Sequence, residues 1–239
     1  MWAVCTKELR QFFGSLTGYL SILLFLLLNG MFLFVFPETG IFEFGYADMS
    51  RFFDLSPWVL LMLIPAITMR SFSDEIRSGT WELLRTRPIS LSSLIAGKYL
   101  ASMFVVVAAI LPTTLYVVTL SRLSTGDIDG GGIAGSYVGL LLMASSFAAI
   151  GTYCSALTSN ALAAFLLSAF ACFTLFNAFG SLSALSFLPA GVGYYIDLLG
   201  MEAHYRSMSR GVVDSRDMMY FLSLSLSFLY FSARKLSRI

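Results

Sequence analysis

From Gly130 to Ile196 the chain contains no Asp, Glu, Lys or Arg. A helix of a soluble protein turns a charged or polar face to water, and a stretch this long without one has no such face to turn. One crossing of a bilayer takes about 20 mostly apolar residues, so the stretch holds more than one. The polar triplet Thr158-Ser159-Asn160 offers a turn that splits it into a span near 134–157 and another near 161–180. Composition points the same way. The chain is 57% hydrophobic and 12% charged, against about 25% charged in soluble domains.

Four further stretches lack charge over enough length to be spans. The charge-free runs are Leu16–Pro37, Leu55–Met69, which is short and extends back towards Arg51, Tyr99–Ser121 and Met218–Ala233, and they place spans near 17–36, 52–71, 98–121 and 217–234. The apolar run from Leu16 to Pro37 exceeds the core of about 7–15 residues of a cleavable leader, and no small-residue cleavage site ends it, so it reads as a retained first span. Between Ser181 and Ile196 the chain is apolar but carries Pro189, Gly191 and Gly193, which argue against a continuous helix. A re-entrant outer element fits, since irregular backbone at membrane depth must be covered by protein or face water. The expected fold is an all-α membrane protein of one domain, residues 1–239, with six transmembrane helices.

Cytoplasmic loops are enriched in Lys and Arg. With both termini inside, the inner side holds Lys7, Arg10, Arg70, Arg77, Arg85, Arg87, Lys98, Arg234, Lys235 and Arg238. The outer side holds Arg51, Arg122, Arg206, Arg210 and Arg216. The acids divide the other way, with only Glu8, Asp74, Glu75 and Glu82 inside. The expected place is a bacterial inner membrane, multi-pass, with both termini cytoplasmic.

The predicted spans have no charge in their middles, which weighs against ion-coupled transport and intramembrane proteolysis, both of which need ionisable groups at depth. Cys5, Cys154 and Cys172 form no CxxC or metal spacing, and read as small apolar side chains. His204 is the one histidine; it reads as a surface or interfacial residue, because metal and triad sites need partners. The acids of the Gly126–Gly132 turn lack the Ca²⁺-loop spacing. Gly97-Lys98 is followed by Tyr99 and lacks the upstream glycine of a phosphate loop. No metal site, no nucleotide site and no nucleic-acid partner are expected, and any ATP and Mg²⁺ would sit on a partner ATPase.

The most informative loop is Arg70 to Pro88. It mixes both charge signs with apolar Ile76, Leu83 and Leu84 at helical spacing, interrupted by Gly79 and stopped by Pro88. Read alone, it is either a solvated loop of the positive-inside kind or a short amphipathic helix that docks a soluble partner. The run Asp74-Glu75-Ile76-Arg77-Ser78-Gly79-Thr80-Trp81-Glu82-Leu83-Leu84 with Pro88 resembles the cytoplasmic E-x-x-x-G-T-x-E-x-L-x-x-x-P motif of ABC-2-type permeases. Lys7, Glu8, Arg10, Phe12 and Phe13 are similar to that family's amphipathic elbow helix, although relatives often carry proline where Leu16 stands. His204, Arg210, Gly211, Asp214, Arg216 and Asp217, with Tyr220 and Phe221, resemble the stretch before the last helix in the branch of gliding-motility-associated ABC permease subunits of Bacteroidota. A copper-maturation branch carries something similar. From the residues alone, Arg210, Asp214, Arg216 and Asp217 also fit an ion-paired helix cap.

The resemblance implies an ABC-2 (type V) exporter-like fold with an elbow helix, a coupling helix between spans 2 and 3, and a re-entrant element between spans 5 and 6. It implies that Asp74, Glu75, Arg77, Gly79, Thr80, Glu82, Leu83, Leu84 and Pro88 couple the chain to an ABC ATPase subunit. It further implies a second permease copy or an accessory membrane subunit with a periplasmic domain, and export or mechanical work linked to gliding or surface-protein secretion. A transducer that moves an accessory periplasmic subunit and transports nothing is the alternative. A membrane enzyme is the weakest reading, since no nucleophile, base and orienting group converge in the sequence.

Overall fold

The computed structural model describes residues 1–36, 49–85, 90–123, 129–185 and 189–238. Pro88, much of the outer segment 38–54 and residues 126–128 of the glycine-rich turn lie outside these, as do the side chains of Leu83 and Leu84. Among the described residues the chain is helical throughout and contains no strand. In chain order the helices are α1 (Trp2–Phe13), α2 (Leu16–Phe34), α3 (Ser50–Thr68), α4 (Ser73–Arg77), α5 (Thr80–Arg85), α6 (Leu91–Ile110) and α7 (Thr114–Leu123). They continue as α8 (Gly130–Leu157), α9 (Ala161–Phe173), α10 (Phe179–Ser183), α11 (Ala190–Asp197), α12 (Met201–Met208) and α13 (Ser215–Leu236).

Four stretches are long and apolar enough to cross a membrane: Ser50–Arg77, Leu91–Arg122, Gly130–Leu157 and Ala161–Ser183. A fifth forms if α1 and α2 count as one broken span, with a bend of 72° between them. The expected sixth, over 217–234, falls on α13, which is not among them. Its serines and terminal charges lower its apolar content, although its length suffices.

Two spans pass through an interruption without ending. At Leu111–Thr113 the helix tightens to a 3-10 turn around Pro112 and resumes as α7. At Thr174–Ala178 one π-helical turn carries α9 into α10. The third span also begins earlier than expected. The Ser90 hydroxyl accepts from the Ser93 amide at 3.3 Å and caps α6, which starts at Leu91.

The long helix α8 is the hub. Helices α13, α3 and α9 pack on it most extensively, and α6 and α12 add to its cover. Its small residues permit this. A Cβ on Gly139 would stand 2.6 Å from the Met208 Cβ, so α12 approaches at backbone range. Phe147, Ala148 and Ile150 of α8 are fully buried against Leu60 and Ile64 of α3.

Helix α3 contains Pro57, which has no N–H to give the Phe53 carbonyl one turn back. The Tyr205 hydroxyl supplies that donor, at 2.7 Å from the Phe53 oxygen. Burial, and after it the charge of Asp54, pushes the Tyr205 phenol well above its ordinary value, so it remains a donor. One end of the bundle is closed in this way by α12, which Ser136 also ties down through a 2.9 Å bond to the Ser209 carbonyl. The α10–α11 pair folds back on itself beside it, close enough that a Cβ on Gly193 would stand 2.9 Å from the Ser183 oxygen. Tyr205→Phe keeps the ring and deletes the donor. It should destabilise the protein by about 1–3 kcal/mol, the cost of one buried unsatisfied carbonyl, read as a lower unfolding midpoint in lipid nanodiscs.

Candidate functional site

The opposite end of the bundle holds both termini and the 69–85 segment. Its organising element is a small second core of Phe72, Trp81, Leu94, Ile95, Ala156 and Leu236. Phe72 and Trp81 meet edge to face, with centroids 5.9 Å apart. Trp81, from the middle of the charged loop, is 2% exposed. A solvated loop would not bury its tryptophan, so the segment is a folded platform.

Its backbone is held by one hydroxyl. Where α3 ends, Ser155 Oγ of α8 accepts from the amides of Phe72 (2.9 Å) and Ser73 (3.1 Å) and donates to the Met69 carbonyl (3.0 Å). Three backbone groups that the turn leaves without helical partners are thereby satisfied. Helix α4 then ends at Gly79, whose φ of +68° lies in the region that glycine occupies without strain. Around Gly79 there is open space, so the reversal between α4 and α5 stands clear of the rest of the chain. Asp74, Arg77, Gly79, Thr80 and Glu82 are exposed, whereas Ser73 and Trp81 are buried and Glu75 is half-buried. The platform thus separates a charged outer face from an apolar inner one.

Beneath it lies Lys98. Sequence reading placed this residue at the junction of the loop and the third span, among the basic residues of the inner side. It lies two turns inside α6 and is 2% exposed. An ammonium has three N–H donors, and each has an acceptor: Glu8 Oε1 of α1 at 2.9 Å, Glu75 Oε1 of α4 at 2.8 Å, and the Ser71 carbonyl at 2.6 Å. The Phe72 ring centroid is 5.0 Å away and adds a cation–π contact. Two carboxylates against one ammonium leave one negative charge. Lys7 balances it from the exposed side, 3.8 Å from Glu8 and 3.7 Å from Glu75. Helix α1 crosses α6 closely here because Gly97 lacks a side chain; a Cβ would meet the Met1 oxygen at 2.8 Å.

Of the residues singled out in the sequence, the structure therefore brings together Lys7, Glu8 and Glu75. Arg10 is exposed, and Phe12 and Phe13 form an edge-to-face pair at the α1–α2 bend, with Tyr19 against Phe13. Glu75 points inward to Lys98 and not outward with Glu82. At the other end, His204 and Asp217 meet, with Nδ1–Oδ1 at 2.7 Å. His204 Nε2 lies 2.9 Å from the Leu198 carbonyl and the ring stacks on Tyr220 at 4.0 Å. The lone histidine is thus a joint between α12, α13 and the end of α11, and not a bare surface group. Asp214 caps α13 by accepting from the Arg216 amide at 3.0 Å. Among the described residues no ion pair joins Arg210 or Arg216 to an acid, so the cap is present without the expected pairing. Gly211, at φ +84°, passes directly against Gly132.

Lys98 was the residue sequence reasoning missed. The signal was available: Ser90 with Ser93 starts the helix, and a helix from Leu91 carries Lys98 inward.

A bundle with four or five crossings and a folded, charge-faced platform at one end is a polytopic helical membrane protein. A family model described as "ABC-2 family transporter protein" matches residues 15–190, and the chain belongs to that family. No curated protein matches the chain. Family membership makes it a membrane component of an ABC transporter and implies an ABC ATPase as partner. Helices α12 and α13, with His204 and Asp217, lie beyond the matched residues.

Lys98→Met leaves Glu8 and Glu75 facing each other at a site less than a quarter exposed, with only the exposed Lys7 as counter-ion. It should destabilise the protein by about 3–5 kcal/mol, as removal of one partner from a buried ion pair does. Adding Glu8→Gln and Glu75→Gln should recover part of that loss, measured as the unfolding midpoint and as amide protection of α1 and α4.

Proposed function

We propose that this chain is the permease subunit of an ABC exporter whose energy comes from a separate ATPase chain docked on the Asp74–Glu82 face. One observation carries the reading: the charged face of the 73–85 platform is exposed while its apolar face is locked to the bundle. Force applied to such a face moves α1, α4 and α6 together through Lys98, and so biases the helices between two packings. ATP and Mg²⁺ belong to the partner, and α4 with α5 serves as the coupling element.

The positive-inside bias assigns the platform and both termini to the cytoplasm of a bacterial inner membrane. Helix α1 is then the elbow, lying at the interface before the first crossing. Helix α13 is the sixth crossing: 22 residues at 1.5 Å each span about 33 Å, enough for the hydrocarbon core. Its serines are tolerated there because they bond within the protein. Ser223 donates to the Tyr220 carbonyl at 2.8 Å, Ser227 to Ser223 at 2.7 Å and Ser232 to Phe228 at 2.8 Å. The α10–α11 pair is the re-entrant outer element.

The pathway would form between this chain and a second permease copy or an accessory membrane subunit. The likeness of residues 204–221 to the gliding-associated branch points to export, or mechanical work, linked to gliding or surface-protein secretion. The joint of His204, Asp217 and Tyr220 stiffens the outer segment that would meet the accessory subunit.

Co-purification with its cognate ATPase tests this. Glu82→Ala alters only the exposed face, Gly79→Trp also strains the left-handed turn at φ +68°, and an unchanged unfolding midpoint would verify the fold of each. Each should cut ATPase retention and stimulated ATP hydrolysis about tenfold, the effect of about 1.4 kcal/mol of interface energy. Full retention of both in the two folded variants would remove the platform from the interface.

A further inference from the structure

A cavity of about 330 Å³ opens beneath the bend between α1 and α2, bounded also by the end of α3 and by α6. Its volume falls within the range of ligand sites, about 300–1,000 Å³. Its lining is divided. Glu8, Gln11, Ser15, Arg70, Ser71 and Lys98 form a polar side. Leu20, Ile67, Ala101 and Val105 form an apolar side.

We propose that this cavity binds the headgroup of an anionic phospholipid, with Arg70 holding the phosphate. The charge balance points to an anion. Glu8 lines the cavity, but Lys98 and Lys7 already take up its charge. Lys98 has spent its three donors. Arg70 is exposed, and among the described residues no carboxylate pairs with it. What the cavity presents is therefore one open guanidinium, whose planar fork matches a phosphate in two parallel hydrogen bonds. Arg10 on the exposed side of α1 adds positive potential. Basic pockets between membrane helices on the cytoplasmic side suit anionic headgroups for this reason.

The apolar side decides for a lipid over a free anion. Leu20 stands at the start of an exposed stripe on α2 that continues through Leu23, Leu24 and Leu27. These residues recur at helical spacing on one face, so an acyl chain leaving the cavity has an apolar track to follow. Occupancy would wedge a lipid between α1 and α3, next to the Glu8–Lys98–Glu75 cluster. The proposal rests on the reading that the α1–α2 bend lies at the membrane interface, and does not depend on the ATPase.

The test uses the purified full chain without any ATPase, so its outcome is separate from that of the coupling experiment. Unfolding midpoints are followed on titration with phosphatidylglycerol, phosphatidylcholine or inorganic phosphate, and retained lipid is read by native mass spectrometry. Phosphatidylglycerol should stabilise the protein and be retained, phosphatidylcholine should do so far less, and phosphate alone should have no effect. Arg70→Gln should require about tenfold more phosphatidylglycerol, the effect of losing one charge-assisted hydrogen bond. Arg70→Lys should fall between, and Ala66→Phe should block the cavity and abolish retention. Equal responses to the two lipids, full stabilisation by phosphate alone, or an unaltered response in Arg70→Gln would each overturn the proposal.

Discussion

A buried ammonium at one end of the bundle sets the arrangement around it. Lys98 is 2% exposed and cannot stay charged there without partners on every side. Its three donors reach α1, the turn after α3, and α4, while the residue itself belongs to α6. Removing any one of these elements strands a charge. Segments far apart in the chain are therefore obliged to meet, and the charged 73–85 platform inherits its position from that requirement. The second core of Phe72, Trp81, Leu94 and Leu236 supplies the apolar half of the same joint.

The rest of the bundle follows the rule that backbone groups away from water need partners inside the protein. Two irregularities show it. Pro57 withholds an N–H from the Phe53 carbonyl, and Tyr205 replaces it. The turn after α3 exposes two amides and a carbonyl, and Ser155 serves all three. Ser145 and Ser146 of α8 lie 3.2 Å from Ser225 of α13, so the serine-bearing last helix is seated against the hub. Small residues on α8 do the complementary work, letting neighbouring helices approach closely enough for dispersion to act.

For an ABC-2 family member, the consequence is a division between faces. The platform turns Asp74, Arg77 and Glu82 outward and holds Phe72 and Trp81 inward. Glu75, which the motif groups with the outward residues, belongs to the inner joint. The platform is thus joined to α6 through an ion pair and to α13 through Leu236. The two ends of the bundle also differ in kind: one is joined through charge at Lys98, the other through the Tyr205 hydroxyl and the His204–Asp217 pair.

Much of this was written in the sequence. The charge-free runs pointed to spans near 52–71, 98–121, 134–157 and 161–180, and these fall on the helical stretches at 50–77, 91–122, 130–157 and 161–183, because lipid tolerates few charges over that length and composition records the constraint directly. Gly79 marked the break in the loop, since its left-handed backbone needs a glycine. The sequence was less informative about the last helix, where serines satisfied by their own backbone look polar when read singly. Only the tertiary structure decided that Lys98 is buried, that Glu75 faces it, and that His204 has Asp217 as a neighbour. Those facts depend on which distant residues meet, and a charge near a helix end looks the same in sequence whether its partners are water or carboxylates brought from elsewhere in the chain.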